Sequence, residues 1–374
     1  MVDFGQVFET EKSILSFCGF YPGGKNRENR KPLRTFFSIS GIILLIISIP
    51  MLVVEGEYEK LLDSSVMFMI ELTVIVKLLF LMTRGEKLCQ IENFIRMMNS
   101  AKIPVSILKY VREDTKKRGR MSICFRALIV IYLFIFGIMP FLGQGPKVLP
   151  VIIWAPYDLE KAIFFYPTFL GELVILAISA FSNSSSDLMY YILVDIACCQ
   201  LDILKENLRG IDMNGNVDMV QKQLRMFVID HELIIRFVKT IQSIYSNIIF
   251  IQCISSVLII CFQGFQLIAI IKFPSAKYSI DTVFILMMFY QIYWYCWFGQ
   301  NIIIKSVEVG EACYLTNWYD SDLRVRKTIT IIMERCKKPL KLTANLFTLD
   351  IAMLVSILRT SYSYMAILRT LYSE

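Results

Sequence analysis

Histidine is nearly missing from this chain: a single residue, His231, stands among 374. The ten cysteines are scattered and form no Cys-x-x-Cys pair, so a His-ligated metal centre or zinc ribbon lacks its ligands. Charged residues make up 19%, where a soluble domain carries about 25%. Proline (11) and glycine (17) are few, which excludes collagen-like and low-complexity order. No Walker or dinucleotide glycine motif occurs. His231 has no carboxylate pair or cysteine cluster at ligand spacing around it, so it reads as a packing or hydrogen-bonding residue. An enzyme is not expected, and no cofactor or metal is. What is plentiful is apolar: 56% hydrophobic and 13% aromatic residues, with 27 Phe and a mean hydropathy of +0.56. These values point to an all-α polytopic membrane protein.

A bilayer core takes about 20 mostly apolar helical residues. Seven stretches qualify: 35–54, 64–82, 124–142, 164–199, 240–271, 282–304 and 342–371. Three of them hold internal charge, namely Glu71 and Lys77, then Glu172, Asp187 and Asp195, then Asp350, Arg359 and Arg369. The third span stops at Leu142 because Gly143, Gln144, Gly145 and Pro146 read as loop. The fifth, at 32 residues, gives roughly 48 Å of helix and should project beyond a ~30 Å core. No signal peptide is expected. Residues 4–20 form an apolar helical stripe suited to the membrane interface.

Charge sets the orientation. With the N-terminus inside, segments 1–34, 84–120, 200–239 and 305–341 carry 30 Lys and Arg, and the outer loops 55–63, 143–163 and 272–281 carry 5. Basic residues are retained on the cytoplasmic side. The N-terminus is therefore expected inside and the C-terminus outside, the opposite of a G-protein-coupled receptor. None of the cysteines falls in those outer loops, consistent with free thiols. The sequon Asn183-Ser184-Ser185 sits inside the fourth span and reads as chance.

Two regions carry candidate chemistry. On the last span, Ser356, Thr360, Ser363, Ile367 and Leu371 fall on one helical face at 100° per residue. The opposite face holds Leu354, Leu358, Tyr362 and Met365, suited to lipid or protein packing. A hydroxyl stripe ending in two bulky apolar residues fits a wetted pore with a hydrophobic constriction, and it equally fits hydroxyls that bond their own helix or glue helices together. In the outer halves of the other spans, Phe68, Glu71 and Leu72, then Phe134, Gly137 and Phe141, then Leu173 and Leu176, then Phe284, Met287, Met288 and Gln291 are candidates to face one apolar cavity for a small hydrophobic ligand. Glu71 stands out because an intramembrane carboxylate is costly. Lys77 is a possible partner, although six residues apart on one helix the two do not stack.

The closing third resembles an insect odorant receptor. The residues that carry the likeness are Tyr295-Cys296 and Gly299, then Ser306, Ala312, Tyr314, Trp318 and Tyr319, then Lys338-Pro339-Leu340, Leu342-Thr343-Ala344 and Ser361-Tyr362-Ser363-Tyr364. Trp154, Pro156, Asp158, Asp187 and His231 add weaker matches. The resemblance implies a seven-helix subunit with a cytoplasmic N-terminus and an extracellular C-terminus. It implies an odorant-binding tuning subunit of a ligand-gated, nonselective cation channel, heterotetrameric with the family's shared co-receptor, in the plasma membrane of olfactory sensory neurons. Its ligand would be a small volatile hydrophobic odorant, aromatic ones included, held between helices two, three, four and six. Its last helix would be split into a cytoplasmic anchor at 323–339 and a pore-lining part at 342–371, with the apolar gate at Ile367 and Leu371. Arg369 would point roughly 160° away from Ile367. The rival is a metabotropic seven-helix receptor signalling through cytosolic partners. No inverted repeat or paired broken helix suggests a transporter.

Overall fold

The computed structural model describes residues 6–21, 41–42, 58–99, 104–142, 149, 158, 161–270 and 276–373. The expected first span, 35–54, lies outside these residues apart from Gly41 and Ile42. The described elements are α1 (Gln6–Phe17), α2 (Tyr58–Thr83), α3 (Gly85–Asn99), α4 (Val105–Leu142), α5 (Ala162–Arg209), α6 (Val217–Phe265), α7 (Ala276–Tyr314), α8 (Leu323–Cys336), the two-residue strands β1 (Thr343–Ala344) and β2 (Phe347–Thr348), and α9 (Ile351–Ser373). One π-helical turn, Gln266–Ile270, continues α6. Four stretches among the described residues are long and apolar enough to cross a membrane: Ser64–Thr83, Ala162–Arg209, Val217–Ile268 and Ile351–Thr370. The spans expected at 124–142 and 282–304 lie on α4 and α7.

Helix α5 is the axis of the bundle. From Ser184 to Leu204 nearly every residue is buried, because α1, α2, α4, α6 and α7 all pack on it. A helix covered on all sides needs apolar residues all round, and the run Leu188–Val194 supplies them. Aromatic rings fill the centre: Tyr190 lies 5.2 Å from both Tyr245 and Tyr295, and Tyr191 stacks on Phe298 at 5.4 Å. At 48 and 49 residues, α5 and α6 run for roughly 70 Å each. Both therefore continue well past a ~30 Å apolar layer into the end of the molecule that carries His231. That histidine is buried beside Phe227. Burial, helped by the nearby Arg335, lowers its pKa to about 4, so it is neutral at physiological pH.

Three expectations about element ends and faces change. The last span does not begin at 342. Thr343 pairs with Thr348 and Ala344 with Phe347 in a tight hairpin, whose turn places Asn345 at φ 51°, a left-handed conformation that Asn tolerates well. The backbone N–H of Asn345 donates to Ser246 Oγ at 2.9 Å, and that hydroxyl donates back to Asn345 Oδ1 at 3.0 Å, which hooks the hairpin onto α6. Helix α9 then starts at Ile351, where Asp350 Oδ1 accepts the backbone N–H of Met353 at 2.8 Å. Asp350 is thus a helix cap and not a charge within the span. The anchor helix expected at 323–339 is α8; Asp322 caps its start and it ends at Cys336, ahead of Pro339, which cannot continue a helix. Finally, the stripe in residues 4–20 packs on protein: Phe8, Glu11, Leu15 and Cys18 are buried, and Glu11 accepts from Ser122 at 2.7 Å and from Arg126 on α4.

Two glycines allow close approach of backbones. A Cβ on Gly299 would collide with the Leu349 carbonyl oxygen and lie 2.7 Å from the Leu349 Cβ; one on Gly310 would lie 2.8 Å from the Cys336 Cβ. The first obstacle is backbone just ahead of α9, so relief requires moving that segment. Gly299→Ala is expected to destabilise the protein by about 1–3 kcal/mol or more, read as a lower unfolding temperature of the purified chain in detergent. Unchanged thermal stability would show that α9 packs elsewhere.

Candidate ligand cavity

A cavity of about 150 Å³ lies between α2, α4, α5 and α7. Helix α2 contributes Met67, Ile70, Glu71 and Val74, the i, i+3, i+4, i+7 spacing of a single face. Helix α4 contributes Phe125, Ile129, Tyr132 and Leu133; α7 contributes Phe284, Met287, Met288 and Gln291. Helix α5 lends Leu176 and Ala180, and a polar row of Ser179, Asn183, Ser184 and Asp187. An apolar cavity of this size accommodates a molecule as large as benzene.

Behind one wall of the cavity, the lining residue Asp187 forms an ion pair with Lys77. Lys77 and Asp187 have side chains with 0% exposure, their Nζ and Oδ1 2.5 Å apart. The same Nζ donates to Asn183 Oδ1 at 2.7 Å and to Gln252 Oε1 at 3.0 Å, which engages all three ammonium hydrogens. Asp187 also accepts from the Tyr295 hydroxyl at 2.5 Å and from the Gln291 amide. Gln252 closes the network by donating to Ser256 Oγ at 3.0 Å and Gln291 Oε1 at 3.1 Å. Desolvating two such charges costs several kcal/mol per ion and is repaid only when geometry and hydrogen bonding are complete. Here they are complete, and the network joins α2, α5, α6 and α7. Six residues back along α2, Glu71 is also buried, its Oε2 accepting from Ser179 at 3.0 Å. Lys77 therefore pairs across helices with Asp187, and Glu71 pairs with a hydroxyl.

A model of the family described as 7tm Odorant receptor matches residues 57–362. The chain belongs to the odorant receptor family. This receptor is 22% identical over 382 aligned residues to Odorant receptor 45a of Drosophila melanogaster, spanning 97% of this chain and 98% of the relative. It is 24% identical to Odorant receptor 9a of the same fly, over 91% of this chain and 90% of the other. The solved structure of the olfactory receptor OR5 from Machilis hrabei in complex with eugenol matches with a TM-score of 0.84 at 17% identity, covering 99% of this chain and 100% of that one. The fold is the seven-helix membrane fold of insect odorant receptors, a family of receptors and not of enzymes.

Six of the twelve cavity candidates read from the receptor's sequence line this space: Glu71, Leu176, Phe284, Met287, Met288 and Gln291. Phe68, Leu72, Phe134, Gly137 and Leu173 are not among the lining residues, and the side chain of Phe141 lies outside the described residues. Phe134 is 66% exposed and Leu72 38%, on faces about one residue, or 100°, round from Leu133 and Glu71. Gly137 instead serves packing, since a Cβ there would lie 3.5 Å from Leu173. The error is one of rotation, because in a membrane helix the face toward lipid is as apolar as the face toward a ligand. Tyr132, Asn183 and the ion pair were missed. Their signal was the row Ser179, Asn183, Asp187 at i, i+4, i+8 on one helix.

On α9 the stripe is likewise rotated against its packing face. Met353, Ile357 and Ser361 are buried, and Ser361 donates to the Val257 carbonyl of α6 at 3.4 Å. Tyr362 is well exposed, and so is Leu358 to a lesser degree, as a face turned toward lipid can be. Ser356 and Thr360 line an open groove between α6 and α9. Ser363 and Ile367 face outward, the latter 55% exposed, and the Leu371 side chain lies outside the described residues. The Thr360 and Ser363 hydroxyls donate to the carbonyls of Ser356 and Arg359 at 2.9 Å each, bonding back to their own helix.

The ion pair generates a direct test. Asp187→Asn leaves the Lys77 ammonium buried without its counter-charge and is expected to cost about 3–5 kcal/mol, seen as loss of folded protein at the cell surface. Glu71→Gln keeps an acceptor for Ser179 and should leave surface expression near the parent level. Equal effects of the two substitutions would contradict the assigned pairing.

Proposed function

We propose that this receptor is the odorant-binding subunit of a ligand-gated, nonselective cation channel, assembled as a heterotetramer with the family's shared co-receptor in the plasma membrane of olfactory sensory neurons. The observation that carries the reading is the apolar cavity whose polar end continues, through Gln252, into α6. Helix α6 packs along α9, where Gly264 admits the Met365 sulfur and Ser361 bonds the Val257 carbonyl. Ligand occupancy and the position of α9 are thereby linked through one helix. The ligand is a small neutral odorant; eugenol bound to OR5 supports a single aromatic ring as a suitable size. The contacts proposed are Glu71, Tyr132, Leu176, Phe284, Met287, Met288 and Gln291.

The N-terminus is cytosolic and the C-terminus extracellular, on the strength of the basic-residue asymmetry. Ser356, Thr360 and Ser363 then face a pore shared by four subunits, and Ile367 and Leu371 form its apolar constriction. An outward-facing, unpacked Ile367 is what such a ring requires of each subunit. The ligand binds the open arrangement more tightly than the closed one and shifts the population accordingly.

Recording odorant-evoked current in excised patches without nucleotide tests the channel. Current should persist there, and dependence on cytosolic factors would favour a metabotropic receptor instead. In the same recordings Ile367→Ala is expected to raise basal current several-fold. Met288→Ala should reorder ligand potencies, whereas Phe134→Ala, on the outer face, should leave the order unchanged. Reordering by Phe134→Ala alone would return the cavity to the neighbouring face.

A further inference from the structure

The polar wall of the cavity is asymmetric in its hydrogen-bonding capacity. Lys77 is an ammonium and can only donate. Asn183 must therefore turn its carbonyl oxygen toward Lys77, as the 2.7 Å bond records. That fixes the orientation of the amide, which would otherwise be ambiguous, and sends its two N–H groups the other way. Asn183 is half-buried and lines the cavity. Among the described residues nothing accepts from those N–H groups. The neighbouring acceptors are engaged: both Asp187 oxygens receive donors, from Lys77 and Tyr295 on one side and Gln291 on the other. The Gln291 side-chain oxygen receives the Gln252 amide.

From this we infer that Asn183 is a ligand-binding residue whose amide N–H groups recognise a hydrogen-bond acceptor, so that the cavity selects neutral odorants bearing a carbonyl oxygen: aldehydes, ketones and esters. The inference rests on the reading of this cavity as the odorant site and adds the chemical class. Carboxylic acids are disfavoured, because an ionised carboxylate would have to leave water for a largely apolar space in which the nearest cation, Lys77, already has a full set of acceptors, a costly transfer. Bare hydrocarbons fill the apolar walls and leave the amide without a partner, which costs affinity. The sequon in which Asn183 sits has no part in this, since the side chain points into the bundle.

The test uses the purified full chain in detergent and matched probes on one skeleton: acetophenone, its methylene analogue ethylbenzene and its carbinol phenylethanol, with an aliphatic ketone, alkane and alcohol of equal length. Binding is read from ligand-induced thermal stabilisation. Ketones should bind the parent roughly tenfold tighter than the hydrocarbons, the scale of one net hydrogen bond, and Asn183→Leu should abolish that ratio while leaving hydrocarbon affinity unchanged. Because Asn183→Leu removes one acceptor from Lys77, Asn183→Asp serves as the second variant. It keeps an oxygen for the ammonium, replaces the N–H groups by an acceptor, and should shift preference from ketone to alcohol. Equal parent affinity for ketone and hydrocarbon, or equal weakening of both by Asn183→Leu, would overturn the assignment. Failure of every probe to bind the parent would overturn the cavity as an odorant site, a separate failure from that of the amide.

Discussion

A lysine and an aspartate with no exposure, 2.5 Å apart in the middle of a membrane bundle, constrain everything around them. Neither charge is tolerable alone in that setting. Lys77 must have Asp187, and further hydrogen-bond partners surround both. Those partners are Asn183 on α5, Gln252 on α6, and Gln291 and Tyr295 on α7. Four helices are thus registered against each other by one polar cluster in an environment where apolar surface alone discriminates poorly between alternative packings. Beyond Asn183 and Gln291 the walls become mostly Leu, Ile, Met, Phe and Tyr, with the hydrogen-bonded pair Ser179 and Glu71 among them.

The same cluster gives the cavity its mechanical reach. A ligand seated against Asn183 and Gln291 touches residues bonded directly to Lys77 and Gln252. Gln252 belongs to the helix against which α9 leans, at Val257 and Gly264. A change in the cavity therefore needs to pass through only one intervening helix to reach the proposed pore lining. The packing of α9 on α6 provides that route.

Much of this was legible in the sequence, and the parts that were not share one cause. Long apolar runs mark membrane-length helices, because a bilayer core takes about 20 mostly apolar residues; the runs at 64–82 and 282–304 lie within α2 and α7. Glu71, Met287, Met288 and Gln291 could be picked as cavity residues because they are polar or adaptable in an apolar context. Phe134 and Leu72 were mistaken for cavity residues because phenylalanine and leucine serve lipid contact and ligand contact equally well, so periodicity yields a face without saying which face. Asp350 looked like a charge inside a span; only the hairpin at 343–348, held by Ser246 and Asn345, reveals it as the cap that starts α9. The partner of Lys77 was out of reach for a different reason. It lies 110 positions away on another helix, and nothing local to α2 distinguishes Asp187 from Glu71.

The claim on which the rest turns is that Lys77 and Asp187 are energetically one unit. A double-mutant cycle with Lys77→Met and Asp187→Leu, followed by unfolding of the purified chain in detergent, measures this directly. The account predicts that each single variant is much less stable than the double variant, with a coupling of about 3 kcal/mol or more. Losses that simply add would mean that the two charges do not depend on each other, and the ion pair described here would have to be abandoned.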